Sequence, residues 1–523
     1  MQSRRACALP FLLSNERKKR RTTALLFFSY GNQIIVRRHT QSRYQPVTRS
    51  ARQREANTPP ARKKVSVVDL CTVTEKQQPA NPVSPGNQPR QTLLKRGHSL
   101  SYAALFAFTA VLYARPAEFY PSPLTASIAL VFALVMLGFF IPTQLSLEGT
   151  LTARPREVNL VLLYCLAGLV SIPLAISPAT AWLEFSGNFI RCIVVFVAMV
   201  NVVRTKARLK GLLFLALAAG LWLSLGAIND YRLGLSTVEG YRVTGRGSGI
   251  FGNPNDMALF LVTILPVAVA LACQSRHLVR RLLFAGTAIL MCVAIALTYS
   301  RAGFLGLLVA LGFFACKTNP RRRVAMLVGL GLTVAMFLAM VPGYAIRLVS
   351  IVIPSLDPVG SSDARSGELL RSLYIAIRHP LLGIGMGNYA PEMSYRGLVT
   401  HNSYTQVAAE MGMAALVCYT MFVVTPIKKL GQMARETFGA RADSDFYYLA
   451  VGLQASLLGY MVSSFFASVA YLWYVYYLVA YAVCLRRLYE SETGREVVVE
   501  KQSKQRLVKV ASVIDDNRGV ATT

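Results

Sequence analysis

Long apolar runs separated by short polar ones dominate the chain, and the runs have the length of membrane spans. A helix crossing a bilayer needs about 20 mainly apolar residues. Segments near 98–114, 123–142, 158–176, 185–203, 211–228, 257–273, 282–298, 303–316, 324–342, 404–427, 447–468 and 470–485 meet or approach that length. The pattern predicts an all-α polytopic membrane protein of about twelve transmembrane helices, of which 303–316 is short and the last pair closely spaced. Two polar stretches stand out by length: 229–256, and a larger one at 343–402 between the ninth and tenth spans. Within the second, Leu369, Leu370, Leu373 and Ile377 recur at helical spacing while Arg365, Glu368 and Arg371 take other faces, so Asp363 to Arg378 reads as an amphipathic helix ending before His379-Pro380.

Composition supports this reading, since 54% of the 523 residues are hydrophobic and 15% charged. Residues 1–96 differ from the rest: 20 Lys and Arg face 4 Asp and Glu, with Pro, Gln, Ser and Asn between them. Such a segment is expected to be a disordered cytosolic arm, and its one apolar run, Thr23 to Tyr30, is too short for a cleaved signal. The order is then the arm at 1–96, nine spans over 97–342, the large loop at 343–403, three spans over 404–485, and a tail at 486–523. With the arm inside, the short cytosolic loops carry Arg154 and Arg156; Arg204, Lys206, Arg208 and Lys210; Arg276, Arg280 and Arg281; Lys317 and Arg321 to Arg323; and Lys428, Lys429, Arg435 and Arg441. That distribution obeys the positive-inside rule and puts 229–256 and 343–402 on the outer side. The nine cysteines fall in the arm, in apolar segments or at their cytosolic ends, which gives no disulfide or zinc framework. The arm reads first as a solvated tail and second as attracted to anionic lipid headgroups; nucleic-acid binding is disfavoured because no motif accompanies the charge.

The outer segments hold ten arginines and no lysine. A guanidinium grips phosphate oxygens with two parallel donors and keeps its proton, so this bias points to phosphate or pyrophosphate. Arg115, Arg232 and Arg347 fit an interfacial belt instead. Arg301, in Thr298-Tyr299-Ser300-Arg301-Ala302-Gly303, sits between two apolar runs with no room for a loop and is expected to line an anion-binding cavity at the outer mouth. Arg246, in Gly245-Arg246-Gly247-Ser248-Gly249, is a further candidate phosphate ligand, and Asn255 or Asp256 is expected to cap the span that follows. Gly383-Ile384-Gly385-Met386-Gly387 lacks the βαβ context of a nucleotide site and reads as tight packing on the membrane domain. His379, before a proline, reads as a structural hydrogen-bonder. His401 differs, because it stands where polar loop meets apolar helix, with Asn402 and Ser403 beside it. A neutral imidazole there can take a hydroxyl proton; a capping or buried histidine is the bland alternative.

Four motifs together resemble the O-antigen ligase family of bacterial integral-membrane glycosyltransferases, which includes O-antigen polymerases and protein O-oligosaccharyltransferases. They are Gly249-Ile250-Phe251-Gly252-Asn253-Pro254-Asn255, Tyr299-Ser300-Arg301-Ala302-Gly303, Arg365 through His379-Pro380-Leu381-Leu382-Gly383-Ile384-Gly385, and His401-Asn402-Ser403-Tyr404 running into Glu410-Met411-Gly412. The resemblance covers residues 100–490 and implies a GT-C-like membrane fold with about a dozen helices, no cofactor and no metal. It also implies transfer of a glycan from an undecaprenyl-pyrophosphate carrier to an acceptor hydroxyl such as that of lipid A-core, at the periplasmic face of the inner membrane. The family's Ser-Arg motif falls on Arg301, its His-Asn motif on His401, and its loop arginine on Arg365 or Arg371. A tryptophan common a few residues after that arginine is missing, with Leu369 and Leu370 standing there. The rival class is a lipid-linked-glycan transporter, for which Arg191 and Glu410 are the ionisable groups inside spans.

Overall fold

The computed structural model describes residues 97–494 except 236, 239, 246–250, 341–348, 350–360 and 442–443, all within the compact unit Pro82–Thr523. The basic arm, Arg246, the first part of the large loop and the chain beyond 494 lie outside the described residues. Thirteen helices carry the fold: α1 Ser99–Ala114, α2 Pro123–Glu148, α3 Arg156–Ser171, α4 Pro178–Val202, α5 Lys206–Leu233, α6 Pro254–Gln274, α7 Leu278–Leu297, α8 Arg301–Cys316, α9 Pro320–Met340, α10 Ser361–Arg378, α11 Ser403–Glu436, α12 Asp445–Ser464 and α13 Trp473–Thr493. A two-residue antiparallel pair, Thr237–Val238 with Arg242–Val243, lies between α5 and α6. Among the described residues nine helices are long and apolar enough to cross a membrane, and Arg301–Cys316 is a shorter apolar one. A helix overlaps each of the twelve expected segments, but α3 is short and charged at its start, and α13 ends in a polar turn that keeps Arg486 and Arg487 inside the helix.

Helix starts follow local chemistry. Ser122, Ser177 and Asn253 accept hydrogen bonds from backbone N–H groups of the turns they precede, and each is followed by a proline whose missing N–H is no loss at that position. Asn253, not Asn255 or Asp256, therefore caps α6. Gly149 and Gly234 end α2 and α5 in the left-handed conformation that glycine adopts without strain.

Exposure runs opposite to that of a water-soluble bundle. The strongly apolar α2 leaves Leu130, Leu134, Phe139 and Ile141 exposed, and α9 exposes Val324, Val328 and Leu332. The centre is built by α6 and α12, which pack on each other and are almost wholly buried. Hydrocarbon, in which every helical backbone group is satisfied internally, is the medium such a surface fits.

Contacts sort the helix ends into two groups. At one end Arg204 meets Glu148 at 2.8 Å, Lys210 meets Asp445 at 3.0 Å, and Arg486 holds the fully buried Glu157 with two bonds of 2.9 and 3.1 Å. Arg322, in the first turn of α9, donates to the Cys273 carbonyl at the end of α6. This is the basic end. At the other end Ser463 donates to the Ala302 carbonyl, Ser403 to the Ala467 carbonyl, and Arg242 to the Thr298 carbonyl. The starts of α8 and α11 thus share one end of the bundle, joined by the last turn of α12 and the segment after it.

Candidate active site

α11 begins at an unusually tied segment. Thr400 bonds Ser468 at 2.8 Å, the Ser403 hydroxyl donates to Ala467 and accepts from the Val469 N–H, and the Asn402 side-chain oxygen accepts from the N–H groups of Tyr404 and Thr405. The Asn402 amide nitrogen is buried with no hydrogen-bond partner among the described residues. His401 lies between these anchors in the left-handed region at φ 53°, a strained conformation that persists where surroundings over-determine it. Burial first and the nearby Arg365 guanidinium second lower its pKa to about 4, with Glu368 opposing. Its imidazole is neutral near pH 7.

Arg365 is supplied by α10, which packs along α11. The next acid on that helix, Glu368, is buried; its carboxylate accepts from the Tyr389 hydroxyl at 2.7 Å and from Ser394 at 2.9 Å. Burial and that carboxylate push the Tyr389 hydroxyl's pKa far above its ordinary value. Arg371 is engaged elsewhere: it donates to the Met393 carbonyl at 2.6 Å and stacks on Tyr395. α10 thus places one arginine toward His401 and commits the other to the 389–396 segment. His379 is exposed, and its backbone rather than its ring makes the bonds that close α10, which replaces the expectation of a hydrogen-bonding side chain.

The glycine-rich stretch docks into a break in α11. At Gly412 the backbone leaves the helix (φ 84°, ψ 177°). The groups released are met by the loop: Ile384 N–H donates to Ala409, Gly385 N–H to Glu410, and Met413 N–H to the Pro380 carbonyl. A Cβ on Gly412 would lie 2.2 Å from the Leu381 carbonyl oxygen, and one on Gly383 would lie 2.3 Å from the Glu410 carbonyl carbon. The Glu410 carboxylate accepts from Tyr471 at 2.8 Å and from the Tyr389 N–H at 3.3 Å. It fastens the loop, while Arg191 is exposed; the two ionisable groups of the transport reading do not meet.

Arg301 opens α8, where Ser300 caps by accepting from Gly303 N–H. A cation in a helix's first turn opposes the helix dipole, so Arg301 and the N-terminal N–H groups concentrate positive potential in one place. Tyr299 is left-handed at φ 53°. Beneath it the buried Arg242 donates to the Thr298 carbonyl and to Asn255, whose side-chain oxygen also accepts from Ser300. Arg242, one of the ten outer arginines but not singled out by sequence, positions the Tyr299-Ser300-Arg301 turn; its place in a two-residue strand gave no signal.

These features define a polytopic all-α membrane protein with a histidine and arginines presented at one end of its bundle. Residues 286–420, which contain Arg301, Arg365, Arg371 and His401, match the family model described as O-antigen ligase. No curated protein matches the chain.

Proposed function

We propose that the protein transfers a glycan from an undecaprenyl-pyrophosphate carrier to an acceptor hydroxyl, such as that of lipid A-core, at the periplasmic face of a bacterial inner membrane. The observation that carries this reading is the half-buried His401, under the influence of the Arg365 charge, at the end of the bundle where Arg301 opens α8, all inside the family-matched segment. Neutral His401 accepts the acceptor hydroxyl's proton as that oxygen attacks the anomeric carbon. The bond from that carbon to phosphate oxygen breaks, and the lipid pyrophosphate leaves with the electron pair. Arg301 and Arg365 meet its charge in a poorly solvated place, where fixed donors are worth most. The donor's negative charge also raises the pKa of His401, strengthening the base when substrate is present. In this reading Arg371 holds the 389–396 segment, and Arg246 is a further ligand for the carrier's phosphates.

The test is turnover of a purified lipid-pyrophosphate glycan in proteoliposomes, with mass spectrometry of surface glycolipids from a deletion strain. Loss of all polymer from lipid A-core is the expected result. Single repeat units left on the core would assign a polymerase, and movement of intact donor without product would assign a transporter.

A further inference from the structure

At the basic end two neighbouring cavities meet. One, of about 620 Å³, is lined by Arg281, Arg322, Arg441, Asn319 and Tyr448 among others, and its described lining includes no carboxylate. Two of its arginines are positioned by neutral acceptors: Arg322 donates to the Cys273 carbonyl and the Tyr448 hydroxyl, and Arg441 to Asn319. Among the described residues, the groups that hold Arg322 and Arg441 carry no charge. The other cavity, of about 880 Å³, is a groove between α5 and α7 walled by Phe214, Leu217, Leu221, Leu283 and Phe284, with Arg280 at its mouth. The one carboxylate in its described lining, that of Asp445, is bound to Lys210. Both cavities share Gln274, Ser275 and Arg276. Outside the groove α7 exposes Leu278, Val279 and Leu282, 61–79% accessible, toward what hydropathy makes hydrocarbon.

We propose that this paired cavity is a binding site for an anionic phospholipid, whose phosphate sits among Arg281, Arg322 and Arg441 and whose acyl chains lie along the α5–α7 groove. Charge complementarity selects the headgroup: planar guanidinium donors suit phosphate oxygens in parallel, and basic pockets between transmembrane helices are suited to anionic lipid heads. The continuous apolar wall selects a lipid over a soluble phosphate, since a free anion leaves the groove empty. A headgroup seated there ties the α6–α7, α8–α9 and α11–α12 connections together at the end opposite the candidate active site.

Native mass spectrometry of the full chain in detergent tests the site, with phosphatidylglycerol and phosphatidylcholine as probes. One phosphatidylglycerol per chain should survive activation, and phosphatidylcholine should not. Arg280→Gln with Arg281→Gln removes two exposed arginines, one from each cavity, and should weaken retention roughly thirtyfold, at about 1 kcal/mol per basic residue. Arg281→Gln alone, the milder change, should weaken it about fivefold. Arg154→Gln with Arg156→Gln, an equal loss of exposed charge elsewhere at the same end, should leave retention intact. Equal retention of both lipids, equal weakening by the two double variants, or displacement by inorganic phosphate would each overturn the proposal.

Discussion

Single side chains separate the roles assigned to this site. If Arg301 grips pyrophosphate with its planar fork, Arg301→Lys keeps the charge but loses the parallel donors, and turnover should fall by most of its value at equal protein abundance. Near-wild-type turnover would reduce Arg301 to a headgroup anchor. His401→Ala should slow the chemical step by about 10²–10⁴-fold, the usual contribution of a positioned base, while donor affinity is kept. Normal turnover in that variant would remove His401 from the chemistry. His379→Ala, at an exposed ring, should change neither. A base works only when neutral, so activity is present above the pKa of His401 and lost as pH falls through it. The acid limb of kcat/KM, which reports free enzyme, should lie near the pKa of about 4, and that of kcat at higher pH because bound pyrophosphate favours the imidazolium. Coincident limbs would deny contact between the histidine and the donor's charge. The place of His401 just before α11 was legible in sequence, because a polar residue at the edge of an apolar run is conspicuous. Its left-handed backbone, the buried Arg242 beneath Arg301 and the diversion of Arg371 were not, because each depends on partners distant in the chain.

At the scale of elements, apolar length located the helices, and a 3.6-residue period located α10 on its own. The break in α11 was invisible, since apolar residues continue on both sides of Gly412 and an isolated glycine in a helical pattern marks a bend only when something docks there. Gly412→Ala imposes both a strained positive φ and a clash with the Leu381 carbonyl. It should destabilise the protein by at least about 1–3 kcal/mol, read as a lowered melting temperature in detergent. Gly286→Ala is the control, since a Cβ there meets nothing within 4 Å. An unshifted melting temperature for Gly412→Ala would mean that the loop docks without needing the break.

For the molecule as a whole, the two ends differ in chemistry, and the proposed orientation assigns them to opposite sides of the membrane. Cysteines introduced at Ser248 and Ser394 should react with an impermeant maleimide in intact spheroplasts, whereas the exposed native Cys316, at the other end, should react only after lysis. The reverse pattern would invert the orientation and move the candidate site to the cytosol. The expected sidedness comes from the positive-inside distribution of basic residues in the sequence. How the helix ends pair was not legible there, because the buried Glu157–Arg486 bond joins residues 329 positions apart.

The break at Gly412 also bears on how the chain is made. Residues 380–385 leave the ribosome before 409–413, yet the loop supplies the partners for Ala409, Glu410 and Met413. A newly inserted α11 whose loop has not yet arrived would have backbone groups with nowhere to bond except along a straight helix, since lipid offers none. Assembly of the two therefore has an order: the loop is synthesised first, and the later helix bends as it receives it. A truncation ending before residue 409 should leave the 380–385 segment open to protease, and extending the chain through 436 should close it.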